Sequence, residues 1–333
     1  MIPINILDYS PIDEGATSRE ALLQTTELAK HAEALGYKRF WVSEHHNVSS
    51  VAGSTPEMLM MHLATSTSSI RIGSGGVMLP HYSSYKVAEN FRMLEALHPN
   101  RIDLGIGRSP SFRMVNRALN EGKEKRVDYE QQIKDIMKYF TDNVSYEHRF
   151  QDLRATPIIP TKPEVWLLGS SKGSAKLAAR NGTAYAYAHF AKPTKEGIDT
   201  VKHYQSQFQA SPINHKPITN IAVFAVVGET NEEAEEIAKA LDLWLLSVES
   251  NQLTPYYPSI ETAINRGFSS IELEKVLRNR KRMVVGNPQT VKAQIENIVE
   301  RYHTDEVTII PNVYGTKNRM KGIERLANAF SLF

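Results

Sequence analysis

"EVWLLGSSKGSAKLAARNGTAYAYAHF", residues 164–190, contains one full cycle of the pattern that decides the fold. Its first seven residues are mostly apolar and give way at once to small polar ones, as in a short buried strand. Alanine and leucine then recur through "SAKLAARNG" in a helical pattern, and a glycine follows. A second short apolar run, "AYAYAHF" (184–190), completes the stretch. Strand, helix and strand in so few residues read as two parallel strands joined by a helical crossover.

The same rhythm extends in both directions. "INILDY" (4–9) precedes "SREALLQTTELAKHAEALGY", for which Ser18 is the expected cap and Gly36 the stop. "RFWVSEHH" (39–46) leads into "TPEMLMMHLATSTS", with Thr55 as cap and Pro56 in the first turn. "RIGSGGVMLP" (71–80), "RIDLGIGRS" (101–109), "ITNIAVFAVVG" (218–228) and "EVTIIPNVY" (306–314) supply further strands, each followed by a helical pattern. About eight strand–helix alternations predict a (β/α)8 TIM barrel spanning 1–333 as a single domain, with a doubly wound open sheet as the alternative. Residues 251–286 break the rhythm and are expected to form an insertion or lid between strands seven and eight.

With 41% hydrophobic and 23% charged residues and a net charge of +2, the chain has ordinary globular composition. A charge so near balance gives no reason to expect nucleic acid or an anionic membrane as partner. The absence of cysteine excludes disulfides, thiolate metal sites and cysteine nucleophiles. The N-terminal residues show no signal peptide, and no run reaches membrane-spanning length, so a cytoplasmic enzyme is expected.

In such barrels the chemistry gathers at the carboxyl ends of the strands. "SSKGSAKLA" places Ser170, Ser171 and Ser174 at a helix start, where unpaired backbone amides and hydroxyls favour a phosphate; simple capping is the competing use. Arg108 and Arg126 are positioned to add charge to that site, although either arginine alone is more often a surface ion pair. His45 and His46 point to opposite faces of an extended strand, and no H-x-H or H-E-x-x-H spacing occurs, so no metal site is expected. A single histidine at a strand end suits a base or hydrogen-bond donor. The sixth strand ends without a lysine, which leaves Lys192 a poor Schiff-base candidate. Ser74, Gly75 and Gly76 interrupt a strand with residues that pack nothing, which marks either a bulge or a close backbone approach.

"WVSEHH", "RIGSGGVMLP", "EALHPNRIDLGIGR", "GSSKGSAKLAARNG" and "VVGNPQTVKAQIENI", in this order and spacing, resemble the bacterial luciferase-like family of flavin-dependent monooxygenases over nearly the full length. The resemblance implies a (β/α)8 barrel that binds reduced FMN, with a deazaflavin used by some members. It implies a non-proline cis peptide at Gly75–Gly76, with Ser74 beside it, against which the flavin ring rests. It places Arg108, Arg126, Ser171 and Ser174 at the phosphate and His45 at the peroxide chemistry. Gly107 stands where luciferase has a reactive cysteine, which removes any thiol role and puts a long-chain aldehyde substrate in doubt.

The function expected is therefore that of a two-component monooxygenase. Reduced FMN from a separate flavin reductase and O2 would oxidise a small organic substrate through a flavin hydroperoxide. A deazaflavin-dependent hydride-transfer enzyme and a non-catalytic flavin-binding protein are the alternatives. The family commonly dimerises, and "EMLMMHLA" (57–64) carries more methionine and leucine than one buried stripe needs, so a homodimer is expected, with a helix buried within the monomer as the equal alternative for this segment.

Overall fold

The computed structural model describes residues 2–109, 111–123, 127–145, 148–250, 252 and 254–333. Ten strands run through it: β1 (Ile4–Asp8), β2 (Arg39–Val42), β3 (Arg71–Ser74), β4 (Val77–Met78), β5 (Ile102–Gly107), β6 (Glu164–Gly169), β7 (Ala184–Ala188), β8 (Thr219–Val227), β9 (Met283–Gly286) and β10 (Glu306–Ile310). All pair in parallel, in the order β10-β1-β2-β3-β5-β6-β7-β8, and β8 returns to β10. The sheet therefore closes into an eight-stranded barrel with alternating helices, the (β/α)8 fold expected, rather than an open doubly wound sheet.

The third barrel strand is two pieces. β3 and β4 both pair with β5, and Gly75–Gly76 between them form a cis peptide. β9 lies outside the ring. It takes the edge of β8 beyond the point where β7 ends, pairing Phe224–Val227 with Met283–Gly286.

Alternation along the strands sorts the core into two layers. In β7 the tyrosines Tyr185 and Tyr187 face the surrounding helices, while Ala186 and Ala188 face the barrel interior. The outer layer joins residues such as Ile6, Phe40, Ile72, Ile106 and Val165 to the helices. Leu7, Trp41, Trp166, Ala186 and Phe224 belong to the inner layer.

The amino-terminal end of the barrel is plugged by charge. Arg39, 2% exposed, binds Asp103 at 2.8 Å, Glu306 at 2.8 Å and Glu164 at 2.9 Å. Arg71 binds the other oxygen of Asp103 at 2.6 Å, Trp41 Nε1 donates to Asp103 at 2.9 Å, and Lys38 pairs with Glu306. Burial opposes ionisation of Asp103 and Glu306, but their arginine partners outweigh it and hold both carboxyls below their ordinary range.

Helix starts follow local capping. Thr17, one residue before the expected Ser18, caps the helix Ser18–Ala34 in a reciprocal box with Glu20. Thr55 occupies the cap position of Pro56–Ser66 without a side-chain capping bond to the helix. Between β8 and β10, the stretch 251–286 holds two short helices, Ile260–Arg266 and Ser270–Asn279, and ends in β9. Buried Tyr257 fastens its start: backbone bonds join it to Ile12 and Glu14, and its hydroxyl donates to the Asn312 carbonyl at 2.5 Å.

Candidate active site

A cavity of about 390 Å³ opens at the carboxyl ends of the strands. Its deep wall is apolar, with Leu7, Trp41, Leu168, Ala186, Ala188 and Ala222. Alanine at inward positions of β7 and β8 leaves the space that a larger side chain would fill. Of the residues singled out in the sequence, His45, Gly75, Gly76, Arg108, Ser170, Ser171 and Ser174 all line this one cavity. They come from the ends of four different barrel strands and their loops. Arg126 lies outside the described residues.

Ser74 is placed differently. Its hydroxyl donates to the Gly105 carbonyl at 2.8 Å and accepts from the Gly105 amide at 3.1 Å, which ties β3 to β5 behind the cavity wall. The glycines beside it answer the same close packing. A Cβ on Gly75 would lie 2.7 Å from the Leu7 side chain, and one on Gly76 would lie 2.7 Å from the Gly105 carbonyl oxygen. Gly105, which sequence reading did not single out, is tighter still: its Cβ would meet the Ser74 carbonyl oxygen at 2.1 Å. The wall is thus flat partly because two backbones approach each other there.

Ser171 and Ser174 do cap. Ser171 is the N-cap of the helix Lys172–Asn181 and forms a reciprocal box with Ser174, while Ser174 Oγ also lies 3.0 Å from the Tyr185 hydroxyl. Capping and anion binding are compatible here, because a helix start carries more unpaired amides than one side chain satisfies. Gly169 lets the helix sit close to β6, since its Cβ would fall 2.3 Å from Ser174 Oγ.

Arg108 is exposed at the cavity rim and forms no ion pair among the described residues. Its guanidinium lies 5.9 Å from the centre of the Tyr129 ring. Tyr129, another lining residue missed in the sequence, has a buried hydroxyl with no hydrogen-bond partner among the described residues. Burial raises its pKa above the ordinary tyrosine value. An orphaned hydroxyl, a free guanidinium and a helix start on one cavity fit a phosphate, and the apolar wall beyond them fits a planar ring.

Opposite stands His45. Its Nδ1 lies 2.8 Å from Ser43 Oγ, and its ring packs 4.9 Å from that of Tyr9. Burial, aided by neighbouring His46, lowers its pKa to about 4, so the imidazole is neutral at physiological pH. His46 turns away and pairs with Glu44 at 2.6 Å. The Glu44 carboxylate also accepts from the Met78 amide at 2.9 Å and the Tyr82 hydroxyl at 2.7 Å, which fixes the strand end on which both histidines sit. A neutral histidine on the same cavity as an anion cradle and an apolar wall can accept or donate a proton there.

The comparisons with known proteins agree with this architecture. The model of the luciferase-like monooxygenase family matches residues 4–305. The chain is 44% identical to YwcH of Bacillus subtilis (strain 168), an uncharacterised protein, over 99% of this chain and 100% of that one. It is 37% identical to the N-acetyl-S-alkylcysteine monooxygenase of the same organism, over 91% and 82% of the two chains. Among solved structures, apo-MsnO8 superposes with a TM-score of 0.90 at 32% identity, covering 100% of this chain and 99% of that one. More distant folds include the FMN complex of the oxygenating constituent of 3,6-diketocamphane monooxygenase from Pseudomonas putida, with TM-score 0.72, 16% identity and coverage of 99% and 98%. An F420-dependent secondary alcohol dehydrogenase shares the fold with TM-score 0.66, 14% identity and 98% coverage of each chain. The chain belongs to the luciferase-like monooxygenase family.

Proposed function

We propose that this monooxygenase uses reduced FMN and O2 to oxidise a small organic substrate. The observation that supports a phosphate-bearing flavin is the meeting, on one cavity, of the Ser171 helix start with Arg108 and the Tyr129 hydroxyl, neither of which has an ion-pair or hydrogen-bond partner among the described residues. Reduced FMN supplies two electrons, so that one oxygen atom enters the substrate and the other leaves as water. The chain's own part is to hold the phosphate at Ser170, Ser171, Ser174 and Arg108, with Arg126 proposed beside them. Gly75 and Gly76 offer a surface without side chains, and Leu7, Trp41 and Leu168 keep water from the reacting centre. His45, held neutral, hydrogen-bonds the developing charge and exchanges the proton through Nε2, which has no hydrogen bond among the described residues.

The F420-dependent fold relatives keep a deazaflavin in view, and an inert flavin carrier would need only the binding half of the site. FMN and F420 titrations decide the first question. Mixing protein loaded anaerobically with reduced FMN into oxygenated buffer addresses the second. H2O2 should appear more slowly than from free reduced FMN; release at the free rate would leave only the carrier. His45→Ala should retain FMN binding yet release H2O2 in place of product; unchanged product yield per bound flavin would remove His45 from the mechanism.

Reduced FMN is proposed to come from a separate flavin reductase in the cytoplasm. Among the described residues no helix is long and apolar enough to cross a membrane. We further propose a homodimer through the face bearing Met58, 72% exposed on the helix Pro56–Ser66, whose opposite side buries Met60 and Leu63. Sedimentation of wild type against Met58→Glu tests it, with the variant expected to be monomeric.

A further inference from the structure

A second cavity, of about 490 Å³, adjoins the first and shares Glu44, His45, Met78 and Ser109 with it. Its other walls are Val48, Phe112, Trp244 and Val248, with Ser111 and His46. We propose that this cavity is the substrate chamber and that it selects a neutral, largely apolar molecule bearing one hydrogen-bond acceptor, and discriminates against carboxylates. The proposal rests on the monooxygenase reading for the word substrate, but not for the binding it predicts.

Three observations carry it. First, position: His45 and Met78 belong to both cavities, so a molecule in the second reaches the first beside the neutral histidine. Second, one wall is aromatic and apolar. Trp244 spends its Nε1 on Ser50 Oγ at 3.1 Å, and its ring is backed by Tyr257 at 5.7 Å and Tyr9 at 6.3 Å. Only aromatic surface is therefore left for a ligand. Ser109 and Ser111 have hydroxyls without a hydrogen bond among the described residues, and these can donate to one carbonyl or ether oxygen.

Third, the charge is of the wrong sign for an anion. The described lining includes no lysine or arginine. Its acidic member is Glu44, to which His46 is already committed. A carboxylate entering this chamber would lose water without gaining a countercharge.

The test is calorimetric titration of the FMN-loaded protein with methyl 4-butylbenzoate and with 4-butylbenzoate. The ester should bind without releasing FMN, and the acid at least tenfold more weakly. Val248→Lys, at a half-exposed position on the last turn of the helix Asn231–Glu249, should strengthen binding of the acid tenfold or more. Val48→Lys serves the same purpose should the first variant melt early. Phe112→Ala should weaken binding of the ester.

Equal or tighter binding of the acid overturns the proposal. So does displacement of FMN by the ester, absence of ester binding up to its solubility, or indifference of both ligands to all these variants. Ester binding of the expected kind, together with H2O2 release from bound reduced FMN at the free rate, would sink the monooxygenase reading and leave the chamber standing.

Discussion

Tyr129 shows how much a single side chain can say once the fold is known. Its hydroxyl is buried and unpartnered among the described residues, beside a free Arg108. A hydrogen bond from it to a phosphate is worth about 1–2 kcal/mol, so Tyr129→Phe should weaken FMN binding about five- to thirtyfold. Riboflavin, which lacks the phosphate, should bind both proteins equally, and fluorescence titration with the two flavins measures this. Without cofactor the variant should be as stable as wild type or slightly more so, because it removes a buried polar atom that nothing satisfies. His45 makes a different prediction. With its pKa lowered to about 4 by burial, its protonation cannot be what shapes activity around pH 6.5. The sign is fixed: a depressed histidine is neutral above its folded pKa and charges only below it. Turnover of bound reduced FMN should therefore show no histidine limb between pH 5.5 and 7.5 attributable to this residue. A limb near 6.5 that His45→Ala abolishes would contradict the burial seen here. The serines and Arg108 were legible in the sequence because a helix start and a strand end are local. Tyr129 was not, since its place at the cavity depends on a helix, Tyr129–Phe140, packing back against the helices Ser84–Leu97 and Lys172–Asn181, and no short-range pattern announces that.

At the scale of elements, the third strand is where sequence and structure inform each other most. Two glycines in "RIGSGGVMLP" signalled an interruption, and the strand does divide there into β3 and β4 around the cis Gly75–Gly76 peptide. The physical partner of that interruption lay elsewhere in the chain, in "DLGIG". Gly105 and Gly107 are both inward-facing on β5, yet their surroundings differ sharply. A Cβ on Gly105 would strike backbone, the Ser74 carbonyl oxygen, at 2.1 Å; one on Gly107 would press on the flexible end of Met78, at 2.9 and 3.2 Å, and make ordinary contact with the Val77 carbonyl oxygen at 3.9 Å. Gly105→Ala should cost about 3 kcal/mol or more, because β3 and β5 must part and the Ser74 bonds that join them must break. Gly107→Ala should cost less than about 1 kcal/mol, with Met78 moving aside and the cavity narrowing. Urea unfolding of the two variants measures the contrast, and equal losses would mean that β5 is not held as described. The stretch 251–286 was less readable. Its departure from the barrel rhythm was evident, but "MVVG" gave no sign that it would lengthen the sheet along β8, an edge that exists only because β7 stops short.

The molecule as a whole separates stability from chemistry along the barrel axis. The site occupies the carboxyl ends of the strands, while Arg39, Arg71, Glu164 and Glu306 are the first residues of their strands and Asp103 the second of its own. None of this ion network is visible in sequence, because its members are scattered from residue 38 to residue 306 and meet only when the barrel closes. Such a network need not be more stabilising than a well-packed apolar plug, since burying the charges costs several kcal/mol per ion. Removing one member is another matter, because it strands the others. Asp103, fully buried, accepts from Arg39, Arg71 and Trp41 together. Asp103→Asn keeps the shape but withdraws the charge that both guanidiniums face, and should lower stability by about 3–5 kcal/mol. At low temperature, where the variant remains folded, its affinity for FMN should stay close to that of wild type, because no charged member of the network lines the cofactor cavity and the link between them is Trp41, which donates to Asp103 and lines the cavity wall. A loss of FMN affinity in the folded variant would show that the two ends of the barrel are coupled, and that the shape of the site depends on the charges beneath it. The pH dependence gives an internal check. Asp103 titrates below its ordinary value, so the stabilisation it provides is present above about pH 4 and lost as the pH falls through its folded pKa. The stability difference between wild type and Asp103→Asn should accordingly be constant through neutrality and shrink only under strong acid.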